Sequence, residues 1–206
     1  MSQAITYFAH DKVLEETVFS LGFGMIVIDA FSKTSSIQTR GVEAKIAKAT
    51  LKDSYVLEVL GKKSREYYRC APIFLTRNNE SQQYYQDLLS RDDMAIYLAY
   101  IGEKPVGFMS VRRNGKLRFI DLCDINTALI DEIGAYIEPA YRGRGIGMTL
   151  LSKCVEWCQH NEIPRIHVDF ESANILARPF WLEFFTETMR SVRRTIYKDV
   201  LSTRAR

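Results

Sequence analysis

Three glycines and two arginines stand directly before an apolar, helix-forming segment in YRGRGIGMTLL, residues 141–151. The first backbone N–H groups of a helix have no partner inside it, and the helix dipole makes that end partly positive. Gly143, Gly145 and Gly147 let a phosphate approach the chain without meeting a Cβ atom. Arg142 and Arg144 can add charge-assisted hydrogen bonds. The stretch therefore predicts a site for a phosphorylated ligand.

Two familiar phosphate-binding loops do not match this stretch. A P-loop ends in Gly-Lys-Ser/Thr, whereas Gly147 is followed by Met148 and Thr149. A dinucleotide-binding loop has the spacing G-x-G-x-x-G, and here the spacing is G-x-G-x-G. A tight turn that needs glycine for packing alone is the remaining alternative, and it gives no reason for the two arginines.

The stretch lies inside a strand–turn–helix–strand pattern. DEIGAYIE, residues 131–138, alternates apolar and other side chains and is predicted to be a strand. The apolar residues from Ile146 to Cys158 recur at helical spacing, and RIHVDF, residues 165–170, alternates again. Such a crossover predicts at least one parallel pair of strands.

The rest of the chain adds further helices and strands. A polar connection at residues 32–41 suggests a domain boundary there. The predicted helices are 11–21, 51–68 with an interruption at Gly61, and 80–90; the predicted strands are 25–31, 44–50 and the hairpin 94–101 with 106–113.

Composition excludes several classes of protein. Among 206 residues, 47% are hydrophobic and the formal charge is +3 with both signs interspersed, so we expect no nucleic-acid partner. No segment approaches the roughly 20 apolar residues that cross a bilayer, so we expect a soluble protein without a membrane partner. The opening residues MSQAITYFAHD lack a secretory pattern, which predicts a cytoplasmic protein with reduced cysteines.

Cys154 and Cys158 are four residues apart and could hold a metal together with His160 and His167. Both cysteines also continue the apolar face of the predicted helix, where a free cysteine behaves as a small hydrophobic residue. We favour the second interpretation and expect no metal.

The sequence IEPAYRGRGIGMTLL resembles the acetyl-CoA-binding motif of the GNAT family of N-acetyltransferases, Arg/Gln-x-x-Gly-x-Gly/Ala, at Arg142, Gly145 and Gly147. The flanking strands, the helix and Asn174 stand in the order that the family shows. The resemblance implies an α/β GNAT fold with a central mixed, mostly antiparallel sheet flanked by helices, in a domain spanning residues 42–206.

Residues 1–41 resemble the last helix and strands of a second, partial GNAT-like unit. Residues 9–31 and 172–196 share a polar start, an amphipathic helix and a following strand. This echo indicates a duplicated domain end, although helix-then-strand segments also resemble each other by chance.

The resemblance implies acetyl-CoA as co-substrate, with no metal. Backbone N–H groups from Arg142 through Gly143, Arg144, Gly145, Ile146 and Gly147 to Met148 would hold the diphosphate. The pantetheine arm would lie beside the strand and exchange main-chain hydrogen bonds with Tyr136 and Ile137. An N–H near Ile137 would polarise the thioester carbonyl. Asn174 would bond the arm from the other side, or else cap a helix.

The implied reaction is direct attack of a neutral amine on the thioester while both substrates are bound, and it needs a base. Asp131 and Glu132 are the candidate bases, and the sequence leaves the choice between them open. Trp181 stands where many members carry a tyrosine that protonates the thiolate. The thiolate then leaves unprotonated, or Tyr136 or Tyr197 takes that role. Trp181 and its aromatic neighbours are expected in the core.

We therefore expect an acetyl-CoA-dependent N-acetyltransferase that acts on a primary amine, of a small molecule or a peptide. In such folds the first two helices and the loop at residues 68–80 line the acceptor site, with residues 118–130 closing over it. Two alternatives remain: a non-catalytic acyl-CoA-binding or sensing module, and a partner-binding scaffold. The sequence also allows a homodimer.

Overall fold

The computed structural model describes residues 1–37, 44–115 and 123–196. The chain divides into two compact units: Met1–Phe31 together with the chain from Asp169 onward, and Ser32–Val168. The boundary predicted between residues 41 and 42 falls outside the described residues, and so does Tyr197. None of the described helices combines the length and the apolar character needed to cross a membrane.

The helices and strands follow one another along the chain in the following order: β1 (Ser2–Phe8), α1 (Lys12–Ser20), β2 (Gly24–Lys33), β3 (Lys45–Lys48), α2 (Ser54–Arg69), α3 (Gln82–Leu89), β4 (Met94–Ile101), β5 (Lys104–Arg113), β6 (Thr127–Ile130), β7 (Ala135–Ile137), α4 (Ile146–His160), β8 (Arg165–Glu171), α5 (Arg178–Phe184) and β9 (Thr186–Thr195).

The unit Ser32–Val168 is built on a mixed sheet in the order β8–β6–β5–β4–β3, with β7 also paired to β5. β6 and β8 run parallel, from Thr127 opposite Arg165 to Ile130 opposite Val168. The other pairings of this sheet are antiparallel. The predicted mixed, mostly antiparallel sheet is thus confirmed. The predicted parallel pair is also present, but β6 forms it with β8 in place of the predicted strand at residues 131–138.

The predicted strand at residues 131–138 is wrong in its first half. β6 ends at Ile130, and β7 begins only at Ala135. Between them lies a turn that we call the acidic turn, residues 131–134, in which the amide of Gly134 donates to the carbonyl of Asp131 over 2.8 Å. The backbone takes a positive φ at Glu132 (58°) and at Gly134 (64°), which a strand does not allow.

Helices cover this sheet on both sides. α2 and α3 pack on one face and bury a core that includes Leu57, Leu60, Tyr85 and Leu88. Gly61 does not interrupt α2, which differs from the prediction. A Cβ atom at Gly61 would lie 1.9 Å from the hydroxyl of Tyr85, so the glycine provides the space in which α3 packs against α2.

The helix α4 packs through an apolar face that includes both cysteines. Cys154 and Cys158 have no exposed surface, and all four cysteines of the chain are free. Burial raises the pKa of Cys158 to about 12 and that of Cys154 well above its usual range. Within the described ranges, no group of three or more His, Cys, Asp or Glu side chains is arranged to hold a metal ion.

In the other unit, β9 pairs antiparallel with β1 on one side and with β2 on the other. α1 closes a small core of Tyr7, Val18, Phe23 and Val192. The helices α1 and α5 are each followed by a strand, as in the echo seen in the sequence; a duplicated origin stays a prediction. Pro179 lies in the first turn of α5, where its missing N–H is not needed.

Candidate active site

The stretch after β7 forms a turn that ends in the first residues of α4; we call it the glycine turn, residues 142–148. Gly143 and Gly145 take positive φ values of 72° and 76°, and Gly145 caps the helix. The first backbone bond at this end runs from the Thr149 amide to the Gly145 carbonyl, over 3.1 Å. In the described part of the chain, the six amides of residues 143–148 make no backbone hydrogen bond. Unpaired amides at the N-terminus of a helix are the donors that the predicted phosphate site requires, and the site itself stays a prediction.

Arg142 differs from that prediction. Its amide donates to the carbonyl of Pro139 over 3.3 Å, and its Nε donates to the carbonyl of Ile137 over 2.9 Å. The guanidinium lies 4.2 Å from the ring centre of Tyr67 in α2. Arg142 therefore fixes the glycine turn to β7 and α2, whereas Arg144 is exposed and contacts the ring of Tyr141.

One edge of β7 has no partner strand within the described residues, since β7 pairs with β5 alone. The Gly134 carbonyl accepts from Ser110, and the Glu138 amide donates to Val106. Because backbone groups alternate along a strand, Tyr136 also faces β5, while Ala135 and Ile137 face the open edge. The main-chain groups of Tyr136 therefore face β5, and those of Ala135 and Ile137 are the ones at the open edge.

A close approach of strands fixes this geometry. A Cβ atom at Gly107 would lie only 2.6 Å from the Tyr136 carbonyl oxygen, so glycine is required there.

At the end of β7, the buried carboxylate of Glu138 pairs with Lys63 and, over 3.4 Å, with Lys104. The hydrogen bond from Lys63 holds the pKa of Glu138 below its usual value.

The two candidate bases lie on the acidic turn and are both engaged by arginines. Both oxygens of Asp131 bond to Arg112, one of them over 2.7 Å to Nε. Glu132 accepts from Nη1 of Arg91 over 3.2 Å and lies 3.4 Å from Nε of Arg112. Burial raises the pKa of Asp131 despite the opposing effect of Arg112. The structure thus brings both acids together with two cations that sequence reasoning missed.

His167 is a further residue at this site, which the sequence suggested only as a metal ligand. Arg112 lies opposite Leu129, and Leu129 lies opposite His167, so these side chains share the α2–α3 face of the sheet. His167 is 7% exposed and interacts electrostatically with Asp131. The sequence signal that could have identified His167 is the alternation in RIHVDF, where His167 stands between the two core residues Ile166 and Val168.

Asn174 and Trp181 belong to the other compact unit. Asn174 is 5% exposed, and its Oδ1 accepts from the Ala177 amide over 3.3 Å, so it closes the turn before α5. Trp181 is buried and packs edge-on against Phe180 and Phe185. These contacts agree with the core role expected for the aromatic residues.

Comparisons with known proteins agree with the motif. The model of the Acetyltransferase (GNAT) family matches residues 62–185. A protein of Methanocaldococcus jannaschii described as an uncharacterized N-acetyltransferase is 33% identical over 76 residues, which cover 37% of this chain and 31% of that protein. The chain thus spans about a third of the length of this curated relative.

Two solved structures share the fold at low sequence identity. A functionally unknown conserved protein from Staphylococcus epidermidis has a TM-score of 0.57 at 13% identity. The match covers 94% of this chain and 72% of that protein. An aminoglycoside N-acetyltransferase in complex with CoA also has a TM-score of 0.57, at 17% identity. This match covers 77% of this chain and 95% of that enzyme. With the family model matching more than half of its residues, the chain belongs to the GNAT acetyltransferase family.

Proposed function

We propose that the protein transfers the acetyl group of acetyl-CoA to a primary amine of a small molecule while both substrates are bound. One observation carries the proposal: the six amides of residues 143–148 have no backbone partner within the described ranges and lie at the positive end of α4, close in sequence to the open edge of β7. A diphosphate and an extended amide-containing arm match these two features.

The donors present fit coenzyme A. The amides of Gly143–Met148 and the exposed side chain of Arg144 would hold the diphosphate. Ala135 and the Ile137 amide would bond the pantetheine arm, since the Ile137 carbonyl is already taken by Arg142. Asn174 belongs to the other compact unit, and its contact with the arm stays an expectation from the family resemblance. Bound acetyl-CoA supplies an activated acetyl carbon.

The chemical step needs a neutral amine and a donor to the carbonyl oxygen. The amine nitrogen forms a bond to the acetyl carbon, the carbon–sulfur bond breaks, and the sulfur leaves as a thiolate. The Ile137 N–H would stabilise the negative charge that develops on the carbonyl oxygen. Asp131 or Glu132 would take the proton of the amine, directly or through water.

The choice between the two bases rests on their partners. Asp131 has both oxygens bonded to Arg112, whereas Arg91 and Arg112 both approach the same oxygen of Glu132, Oε1. Glu132 therefore retains an oxygen for a proton, and Asp131 holds Arg112 in place. Trp181 cannot protonate the thiolate, so we propose that the thiolate leaves unprotonated.

The acceptor class is supported by structural neighbours that bind or act on amines. One is an aminoglycoside acetyltransferase in complex with sisomicin, and another is an aminoglycoside N-acetyltransferase in complex with CoA. Both support a small-molecule amine here; a peptide amine is the other acceptor that the assay should include.

Release of free thiol from acetyl-CoA against a panel of amines tests the proposal. We expect amine-dependent release, with Glu132→Gln reducing kcat at least about 100-fold and leaving the Kd of CoA unchanged. Glu183→Gln, at an exposed acid of the other unit, is the matched control. Thiol release that no amine stimulates would contradict the proposal.

An acyl-CoA-binding module without catalysis is the second candidate. It is favoured by the ion pairs that engage both acids and by the tryptophan at position 181. Calorimetry separates the two, because this candidate predicts heat on adding acetyl-CoA but no thiol release with any amine.

Self-association is a separate proposal. β1 is the edge strand of its sheet, and residues 2–8 carry no charged side chain, which favours pairing with a second copy in a homodimer. Sedimentation equilibrium tests this; a protein that stays monomeric at high concentration contradicts it.

Cytoplasmic residence likewise stays a proposal, based on the four free cysteines.

A further inference from the structure

One arginine of α2 is buried without a partner. Arg65 is 9% exposed, and its Nε is fully enclosed and makes no hydrogen bond. Across the described residues, no ion pair or hydrogen bond involves its guanidinium, whereas Arg112 and Arg190 are each held by carboxylates. Arg65 is therefore a cation that no carboxylate of the described residues contacts directly.

The surroundings of Arg65 connect it to the acidic turn. Tyr84 of α3 interacts electrostatically with Arg65, with Glu132 and with Glu80, so these groups approach one phenol from different elements. The charge of Arg65 also acts on Tyr85, where it opposes the rise in pKa that burial causes. Glu132 is the proposed base, so Tyr84 links Arg65 to the proposed site. Arg65 also lies on α2, the first of the two helices that the family resemblance expects to line the acceptor site.

A buried charge without a partner destabilises a folded protein unless a ligand or an ion completes it. Arginine presents a planar set of donors that matches a carboxylate in a two-bonded arrangement. A packing role gives no reason for a charged group here, since an apolar side chain of the same length would fill the space without that penalty.

We propose that Arg65 binds an anionic group of the acceptor, so that the preferred substrate is an amine that also carries a carboxylate. This inference rests on the proposed acetyl transfer. Arg65 holds the carboxylate, and Glu132, which interacts with the same Tyr84, receives the proton of the amine. The site thereby selects against amines that lack the anion, since these leave the guanidinium unpaired.

The first test measures anion binding without turnover. Thermal unfolding is followed in sodium acetate and in sodium chloride of equal ionic strength, for the natural protein, for Arg65→Met and for Arg69→Met. Arg69 is an exposed arginine of the same helix, so its variant removes the same charge. We expect acetate to raise Tm by about 3 °C in the natural protein and in Arg69→Met, but not in Arg65→Met.

In chloride, Arg65→Met should be as stable as the natural protein or more stable, because an unpaired buried charge is removed. Equal stabilisation of Arg65→Met by acetate would overturn the proposal. An Arg65→Met protein that unfolds or loses stability would also overturn it, because that result requires a protein partner for the guanidinium. Stabilisation by phosphate but not by acetate would overturn the carboxylate assignment.

The second test compares acceptors of matched size: β-alanine, β-alaninamide and propylamine. We expect kcat/KM for β-alanine to exceed the other two by about tenfold, the factor that corresponds to 1.4 kcal/mol, and we expect Arg65→Met to abolish this preference. Equal rates for all three, without an acetate effect, would leave acetyl transfer standing and refute the role of Arg65. An acetate effect without acetylation of any amine would keep the anion site and refute the proposed function.

Discussion

The two turns on either side of β7 obtain their shapes in different ways. The glycine turn uses glycines at its two left-handed positions, Gly143 and Gly145, and its backbone amides carry the proposed function. The acidic turn places Glu132 in a left-handed conformation and depends on distant groups, since the Ser110 hydroxyl donates to the Asp131 carbonyl over 2.7 Å. A turn that is encoded locally can be recognised in a sequence, whereas one imposed by neighbouring strands cannot.

The largest effect is expected at the glycine turn. Gly145→Ala forces a left-handed conformation on a residue with a Cβ atom, which costs about 1–2 kcal/mol, and it displaces the amides that follow. We expect the Kd of CoA, measured by calorimetry, to rise at least about 100-fold. Gly102→Ala is the control, since Gly102 has a φ of 60° in the exposed turn between β4 and β5. Equal loss of CoA binding in both variants would show that strain alone explains the result.

The acidic turn should respond in stability rather than in CoA affinity. Arg112→Met leaves the carboxylate of Asp131 without its main partner, and we expect the free energy of unfolding at pH 7 to fall by about 2 kcal/mol. The side chains of both partners are partly exposed, so this value lies below that of a fully buried pair. Urea unfolding measures it. Lys153→Met, which breaks an exposed pair with Glu156, should change stability by less than about 0.5 kcal/mol.

A smaller effect separates the two arginines of the glycine turn. Arg142→Lys keeps the charge but loses the flat contact with Tyr67 and the Nε bond to Ile137, so the Kd of CoA should rise about tenfold. Arg144→Lys should change the Kd about twofold, because an exposed cation acts mainly through its charge. The reverse order would assign to Arg144 the positioning role that we give to Arg142.

The smallest effect concerns the end of β7. Glu138 has a lowered pKa in the folded state, so its contribution to stability is present above the pKa of the unfolded chain and is lost as the pH falls through the folded value. Glu138→Gln should reduce the free energy of unfolding at pH 7 by about 1 kcal/mol. Its urea midpoint should also decline less than that of the natural protein below about pH 4.5. Parallel pH curves for the two proteins would contradict this account.

The sequence predicted what depends on local pattern. The limits of β4 and the buried face of α4 follow from the alternation and the spacing of apolar residues. Gly61 was misread because its role is set by the Tyr85 hydroxyl on another helix. The pairing of β1 with β9, from Ser2 opposite Thr195 onward, joins the two ends of the described chain, and no local pattern records it.

The candidate site divides in the same way. The glycine turn was found from its residues. Strand register brings Arg112 and His167 to the acidic turn, and the turn between α3 and β4 brings Arg91 there, so none of the three was recognised. Nothing in the sequence separates Arg65 from the other lysines and arginines of α2. Only its burial without a partner distinguishes it from Arg69, which lies four residues further along the same helix.

Amide chemical shifts recorded while CoA is added test the central claim most directly. The account predicts that saturating CoA shifts the amide resonances of residues 143–148 and of Ile137. Pantetheine, which lacks the diphosphate, should shift Ile137 but leave residues 143–148 unchanged. Saturation by CoA with no change at residues 143–148 would contradict the claim that these amides hold its diphosphate.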